Sequence, residues 1–127
     1  MPKFTYTGIM VSNIERSIKF YTKELGMKLL FKTKIKETGG QIAWLRSPGS
    51  KQTLELNWYP KAYKFGGQSG LDHLCFEVAD AYKFSDKLTN KYKFPIKPFV
   101  EGNWVLSYFK DPDGNWIELG HRRRKSS

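Results

Sequence analysis

The spacing of hydrophobic residues changes period several times along the chain, and each change marks a predicted element. Residues 4–11, FTYTGIMV, read as a strand. From Ser12 the period lengthens: Ile14, Ile18, Tyr21 and Leu25 recur at helical spacing, and Gly26 supplies the stop. Ser12 and Glu15 have the spacing of a capping box, the hydroxyl accepting from the first turn and the carboxylate reaching back. Strand-like runs follow near 28–36, 41–46 and 53–59, separated by Gly39-Gly40 and Pro48-Gly49-Ser50.

The same order then recurs. LDHLCFEV (71–78) reads as a strand, and Asp80 can cap a helix that carries Phe84, Leu88 and Tyr92 on one face. Pro95 and Pro98 punctuate its exit, and strand-like runs follow near 97–100, 104–109 and 115–121. The predicted class is α+β, with two βαβββ modules at about 1–60 and 68–121, a loop near 60–69 and a basic tail at 122–127. Val11 and Val78 close the two opening strands, and five residues back from each stand Tyr6 and His73. SPGSKQTLEL mirrors DPDGNWIEL, which matches Glu55 with Glu118. If a pseudo-twofold axis relates the modules, these four polar residues can converge in a cavity enclosed by a curved mixed sheet.

Strand parity sharpens the chemistry. Leu54 and Leu56 share one face, with Glu55 and Asn57 on the other; Ile117 and Leu119 share one face, with Trp116 and Glu118 opposite. The aliphatic faces are expected to pack under the helices and the glutamates to line the concave face. One imidazole and two carboxylates suit a divalent ion such as Ni, Zn, Co, Mn or Fe, with positions left for water or substrate. Tyr6 can ligate, donate a hydrogen bond to a bound oxygen, or fill space. Trp44, Trp58, Tyr59, Trp104 and Trp116 suit an aromatic pocket, a core or a dimer interface. Cys75 and Glu77 share parity with His73; the first is expected to fill space and the second to be solvated, while His121 falls on the opposite face from Glu118 and is given no role.

Composition narrows the setting. A chain of 127 residues, 39% hydrophobic and 16% aromatic, suits one ordinary domain with a real core. No apolar run reaches membrane-spanning length, MPKFTYTG lacks a secretory apolar stretch, and Cys75 is the only cysteine; the expected setting is the reducing cytoplasm. The net charge of +10 favours anionic small molecules and solubility. Nucleic acid is not an expected partner: the basic residues are scattered, and the one tight cluster, Arg122 to Lys125, reads as a solvated tail without zinc-ligand or RNA-binding motifs around it.

SNIERSIKFYTKELGMKLL (12–30), LDHLCFEV and DPDGNWIEL together resemble the vicinal oxygen chelate superfamily, which groups glyoxalases, bleomycin-resistance proteins and extradiol dioxygenases. The opening helix and the strand after it look most like glyoxalase I, lactoylglutathione lyase. The resemblance implies a single domain over 1–127, a homodimer, and metal ligands at Glu55, His73, Glu118 and the position of Tyr6, all from one chain or with Tyr6 and Glu55 drawn from one copy and His73 and Glu118 from the other. It implies a carbon–sulfur lyase or isomerase acting on a small oxygen-chelating carbonyl substrate through an enediolate, with Glu118 or Glu55 moving the proton. Glyoxalase I typically has an arginine where this chain has Met10 and an asparagine where it has Tyr59; without the guanidinium fork the best partner for a glutathione carboxylate is gone. Met10, Trp44, Asn57, Tyr59, Trp104 and Trp116 are the substrate-pocket candidates. The alternatives are a metal-free ligand-sequestering protein of the bleomycin-resistance kind, whose ligand on a basic surface would be anionic or aromatic, an extradiol-type dioxygenase, and a thiol-transferring resistance enzyme.

Overall fold

The structure is a computed structural model that describes residues 4–36, 38–60, 71, 73–93 and 96–124. The predicted linker at 61–69, Pro95 and Lys125 lie outside the described residues. Two compact units divide the chain, Met1–Gly66 and Gly67–Ser127. The first runs β1 (Tyr6–Met10), α1 (Ile14–Lys19), a π-helical turn (Phe20–Glu24), β2 (Lys28–Lys34), β3 (Gln41–Arg46) and β4 (Thr53–Trp58). The second runs β5 (His73–Glu77), α2 (Ala81–Thr89), β6 (Ile96–Glu101), β7 (Trp104–Lys110) and β8 (Trp116–Arg122). Both are βαβββ, and their open four-stranded sheets have matching orders, β1-β4-β3-β2 and β5-β8-β7-β6. In each, the outer pair β1/β4 or β5/β8 is parallel and the remaining pairs are antiparallel.

The register repeats as well. Gly8 stands across from Glu55, and Cys75 across from Glu118. The Val11 amide donates to the Asn57 carbonyl and the Val78 amide to the Gly120 carbonyl, both at 2.9 Å. The valines that align the two halves in sequence therefore make one and the same contact in each unit.

In the first unit α1 lies against β3 and β4. α1 buries Ile14, and the π turn buries Phe20 and Tyr21, in a core with Ile9, Val11, Ala43, Leu45, Leu54 and Leu56. The start of α1 differs from the capping box expected at Ser12. Asn13 is the N-cap, its side chain accepting from the Arg16 amide at 3.0 Å. Ser12 instead accepts from the Arg16 guanidinium at 2.7 Å, and Glu15 pairs with Lys32 of β2. An amide side chain caps as well as a hydroxyl, and Asn13 is one residue nearer the apolar face. At the other end the Thr22 hydroxyl, inside the π turn, donates to the Ile18 carbonyl at 2.7 Å, and Gly26 follows at φ 71°.

In the second unit Asp80 caps α2 as expected, accepting from the Tyr82 and Lys83 amides. The Ala81 amide donates to His121 Nδ1 at 2.8 Å, which gives that histidine a helix-capping part. Ala81 and Leu88 pack with Val105, Phe109, Ile117 and Leu119, and the buried Ser85 and Ser107 hydroxyls satisfy each other at 2.7 Å. Pro98 lies inside β6, at a register irregularity between Ile96 and Phe99, as an edge strand permits. The basic tail begins later than expected. Arg122 is the last residue of β8, its guanidinium 5.3 Å from the Trp104 ring centre, and the Arg123 amide donates to the Asn103 carbonyl at 2.7 Å.

The turn from β7 to β8 is built on Asp111, a carboxylate only 5% exposed. Its Oδ1 accepts from the amides of Asp113 and Asn115 at 2.9 and 2.8 Å, its Oδ2 from the Asn115 side chain at 2.9 Å, and Gly114 takes φ 85°. Asp111→Ala is expected to lower the unfolding free energy by about 2–4 kcal/mol, since charge-assisted bonds in a buried turn are lost together. Urea melts measure this, and a loss under about 0.5 kcal/mol would mean that the turn forms without its carboxylate.

Candidate active site

In both sheets the helix covers one face, and the predicted site residues lie on the other. Leu54 and Leu56 are buried beneath α1, so Glu55 between them must point away from it. Its Oε2 accepts a short hydrogen bond from the indole Nε1 of Trp44, the residue directly across the β3–β4 ladder. The Trp44 ring lies against Tyr6 and Phe31, with ring centres 5.3 and 4.9 Å away. Asn57 is tied to backbone, donating at 3.4 Å to the carbonyls of Ile9 and Glu55. Met10 faces it across β1 and β4. Tyr59 lies past the end of β4 and covers Gly40, where an added Cβ would come within 2.9 Å of its ring.

In the second unit Ile117 and Leu119 are fully buried and Glu118 faces the opposite way, its side chain 14% exposed. His73 on β5 brings Nε2 to 3.9 Å from Glu118 Oε1. The Tyr108 hydroxyl, directly across β7–β8, donates a short hydrogen bond to that same oxygen. Trp116 is edge-on to Tyr108 and carries the Lys110 ammonium 4.6 Å above its ring. Trp104 pairs with Arg122 at the far end of the β7–β8 ladder, away from Glu118.

Electrostatics separate the neighbouring acids. The hydrogen bond to Glu118 raises the Tyr108 phenol above its ordinary range, aided by burial and by the charges of Glu118 and Glu101. The Cys75 thiol is pushed up to about 12, first by desolvation and then by Glu118 and Glu77, although the residue as a whole is exposed. It stays a thiol at neutral pH and is no nucleophile there. Glu77 is exposed at the end of β5, as expected.

The structure thus joins His73 with Glu118, and Tyr6 with Glu55 by way of Trp44. Among the described residues no three His, Cys, Asp or Glu side chains form one metal-holding group. The donors that are present suit a divalent ion in kind. Two atoms each about 2.1 Å from a shared ion lie at most about 4.2 Å apart, and His73 and Glu118 meet that condition at 3.9 Å. Trp44, expected to line a pocket, spends its one donor on Glu55. Tyr108 escaped the sequence reading altogether. The signal was there: it precedes Glu118 by ten residues across a tight turn, as Trp44 precedes Glu55 by eleven.

Comparison with known proteins gives this geometry its relatives. The profile of the Glyoxalase/Bleomycin resistance protein/Dioxygenase superfamily matches residues 3–119. A lactoylglutathione lyase of Neisseria meningitidis serogroup A is 31% identical over 124 residues, 92% of this chain and 88% of that one. The lactoylglutathione lyase of Escherichia coli O157:H7 is likewise 31% identical, over 92% of this chain and 90% of its own. Among solved structures, the trypanothione-dependent glyoxalase I of Leishmania major superposes with a TM-score of 0.77 at 29% identity, over 94% of this chain and 86% of its own. Glyoxalase I of Zea mays gives 0.81 at 28% identity over 94% of this chain, which spans only 44% of the maize chain. The chain belongs to the Glyoxalase/Bleomycin resistance protein/Dioxygenase superfamily, and within it is a lactoylglutathione-lyase-like enzyme.

Proposed function

We propose that the chain is a divalent-metal-dependent lyase or isomerase that acts on a small carbonyl substrate with two neighbouring oxygens, as glyoxalase I does. The observation that carries this reading is the His73–Glu118 pair, 3.9 Å apart on one sheet face of a chain 31% identical to lactoylglutathione lyases. His73, Glu118 and Glu55 would hold the ion (Ni, Zn, Co, Mn or Fe). The ion would supply Lewis-acid stabilisation of charge developing on substrate oxygen. Glu118 or Glu55 takes the proton from the carbon beside the carbonyl and returns it to the neighbouring carbon. The Tyr6 phenol donates a hydrogen bond to substrate oxygen.

A homodimer fits this assignment. In it, Tyr6 and Glu55 of one copy would work with His73 and Glu118 of another. We read residues 1–127 as one domain in this assembly. Met10 and Tyr59 supply no guanidinium or amide for a glutathione carboxylate, so the thiol carrier is expected to differ from glutathione or to be held by other groups. A second reading, sequestration of a planar anionic ligand, draws support from the rings on these faces: exposed Tyr6 and Phe31 beside half-buried Trp44 in one unit, exposed Phe99 beside half-buried Tyr108 and Trp116 in the other.

Purified wild-type protein is expected to contain or take up near-stoichiometric divalent metal, and His73→Ala to lose it, as elemental analysis would read. Absence of metal from both, with none bound on titration, sinks the lyase reading. Glu118→Gln and Glu55→Gln should each lower kcat about 10²–10⁴-fold in a hemithioacetal assay; in a sequestering protein Glu55→Ala would leave ligand affinity nearly unchanged. In the metal-free protein, alkylation of Cys75 by iodoacetamide should be slow at pH 7.5 and accelerate steadily beyond pH 9, because the thiol is held up to about 12. Rapid labelling at neutral pH would contradict that assignment.

A further inference from the structure

We propose that Trp44 and Tyr108 are a matched pair of positioning residues that fix the carboxylates of Glu55 and Glu118 in their working orientation. The inference rests on reading those two glutamates as the site carboxylates. Each donor stands directly across an antiparallel ladder from its glutamate, Trp44 from Glu55 and Tyr108 from Glu118. Each comes from the strand in the third place of its sheet, β3 or β7. Side chains at such positions share a face and sit close enough to touch. The indole N–H donates to Glu55 Oε2, and the phenol O–H to Glu118 Oε1. Two unrelated donor groups thus do one task at equivalent positions of the repeat.

The donors are themselves held. Trp44 is packed by Tyr6 and Phe31; Tyr108 is edge-on to His73 and Trp116 and stacked with Phe99. A glutamate on a half-exposed sheet face has three side-chain torsions to lose, and a fixed donor removes that freedom before any ligand arrives. The bonding also leaves lone pairs to spare. Trp44 engages Oε2 of Glu55 only, and Oε1 faces the bare Cα of Gly8, where an added Cβ would stand 3.7 Å from it and 3.1 Å from Asn57 Nδ2. Each glutamate therefore keeps carboxylate acceptor sites for an ion or a proton while its position is set from the side.

Tyr108→Phe keeps the ring and its packing and loses only the donor; Trp44→Phe keeps an aromatic side chain, smaller than the indole, and loses the donor. The full-length chain, labelled with ¹³C at its glutamate carboxyls, is compared metal-free by NMR and then titrated with Ni²⁺ by calorimetry. Tyr108→Phe should shift the Glu118 carboxyl resonance and leave that of Glu55 in place; Trp44→Phe should do the reverse. Affinity for Ni²⁺ should fall about 10–100-fold in each, with the metal-free melting temperature little changed. Carboxyl resonances that stay in place in both variants overturn the proposal, and so does Ni²⁺ affinity within threefold of wild type where wild type binds. Should wild type bind no metal, the functional reading fails by itself, and the carboxyl resonances alone then support or overturn the positioning role.

Discussion

A carboxylate set between two buried aliphatic side chains on a strand has one place to go. Leu54 and Leu56 in one unit, and Ile117 and Leu119 in the other, are drawn under a helix by the burial of apolar surface. The pleat then turns Glu55 and Glu118 to the opposite face, where they meet water, partners or ligands rather than hydrocarbon. Every other feature of the site follows from this division. The parallel neighbours β1 and β5 present Tyr6 and His73 on that same face, and the antiparallel neighbours β3 and β7 present Trp44 and Tyr108.

The two halves show how far a repeated backbone constrains chemistry and where it leaves freedom. Register, strand order and the valine contacts that end β1 and β5 are shared. The groups at equivalent positions are not. Glycine flanks Glu55 where a cysteine flanks Glu118, an indole stands where a phenol stands, and a tyrosine where a histidine does. One unit thus brings an imidazole and a carboxylate together, and the other a carboxylate lodged among rings. A superfamily whose members include lyases, dioxygenases and resistance proteins is compatible with such a division, in which the scaffold fixes positions and side chains choose the reaction.

Much of this was legible in the sequence because it depends on local periodicity. The repeat, the strands, the helix capped by Asp80 and the outward-facing glutamates all follow from period-two and period-3.6 patterns and from turn residues. What escaped depends on competition between similar groups or on contacts distant in sequence. Ser12 and Asn13 are both good caps, and sequence spacing does not choose between them. The π turn carries no pattern that period 3.6 would reveal. Arg122 looked like the first residue of a solvated tail because its partner, Trp104, lies eighteen residues away. The bond from Trp44 to Glu55 was hidden because a tryptophan's apolar surface outweighs its single N–H in any pattern. Tyr108 was hidden among the aromatic residues of β7, although strand parity places it opposite Glu118.

The β7–β8 hairpin turn has a consequence for how such a chain can change. Loops are where proteins ordinarily absorb insertions and deletions. Here the Asp111–Asn115 turn acts as a ruler: it sets the number of residues between Tyr108 and Glu118, and a change of one would move Glu118 to the helix side and a leucine or isoleucine to the other. The segment between β3 and β4 does the same for Trp44 and Glu55. In these two places the chain can trade one amino acid for another far more readily than it can change length.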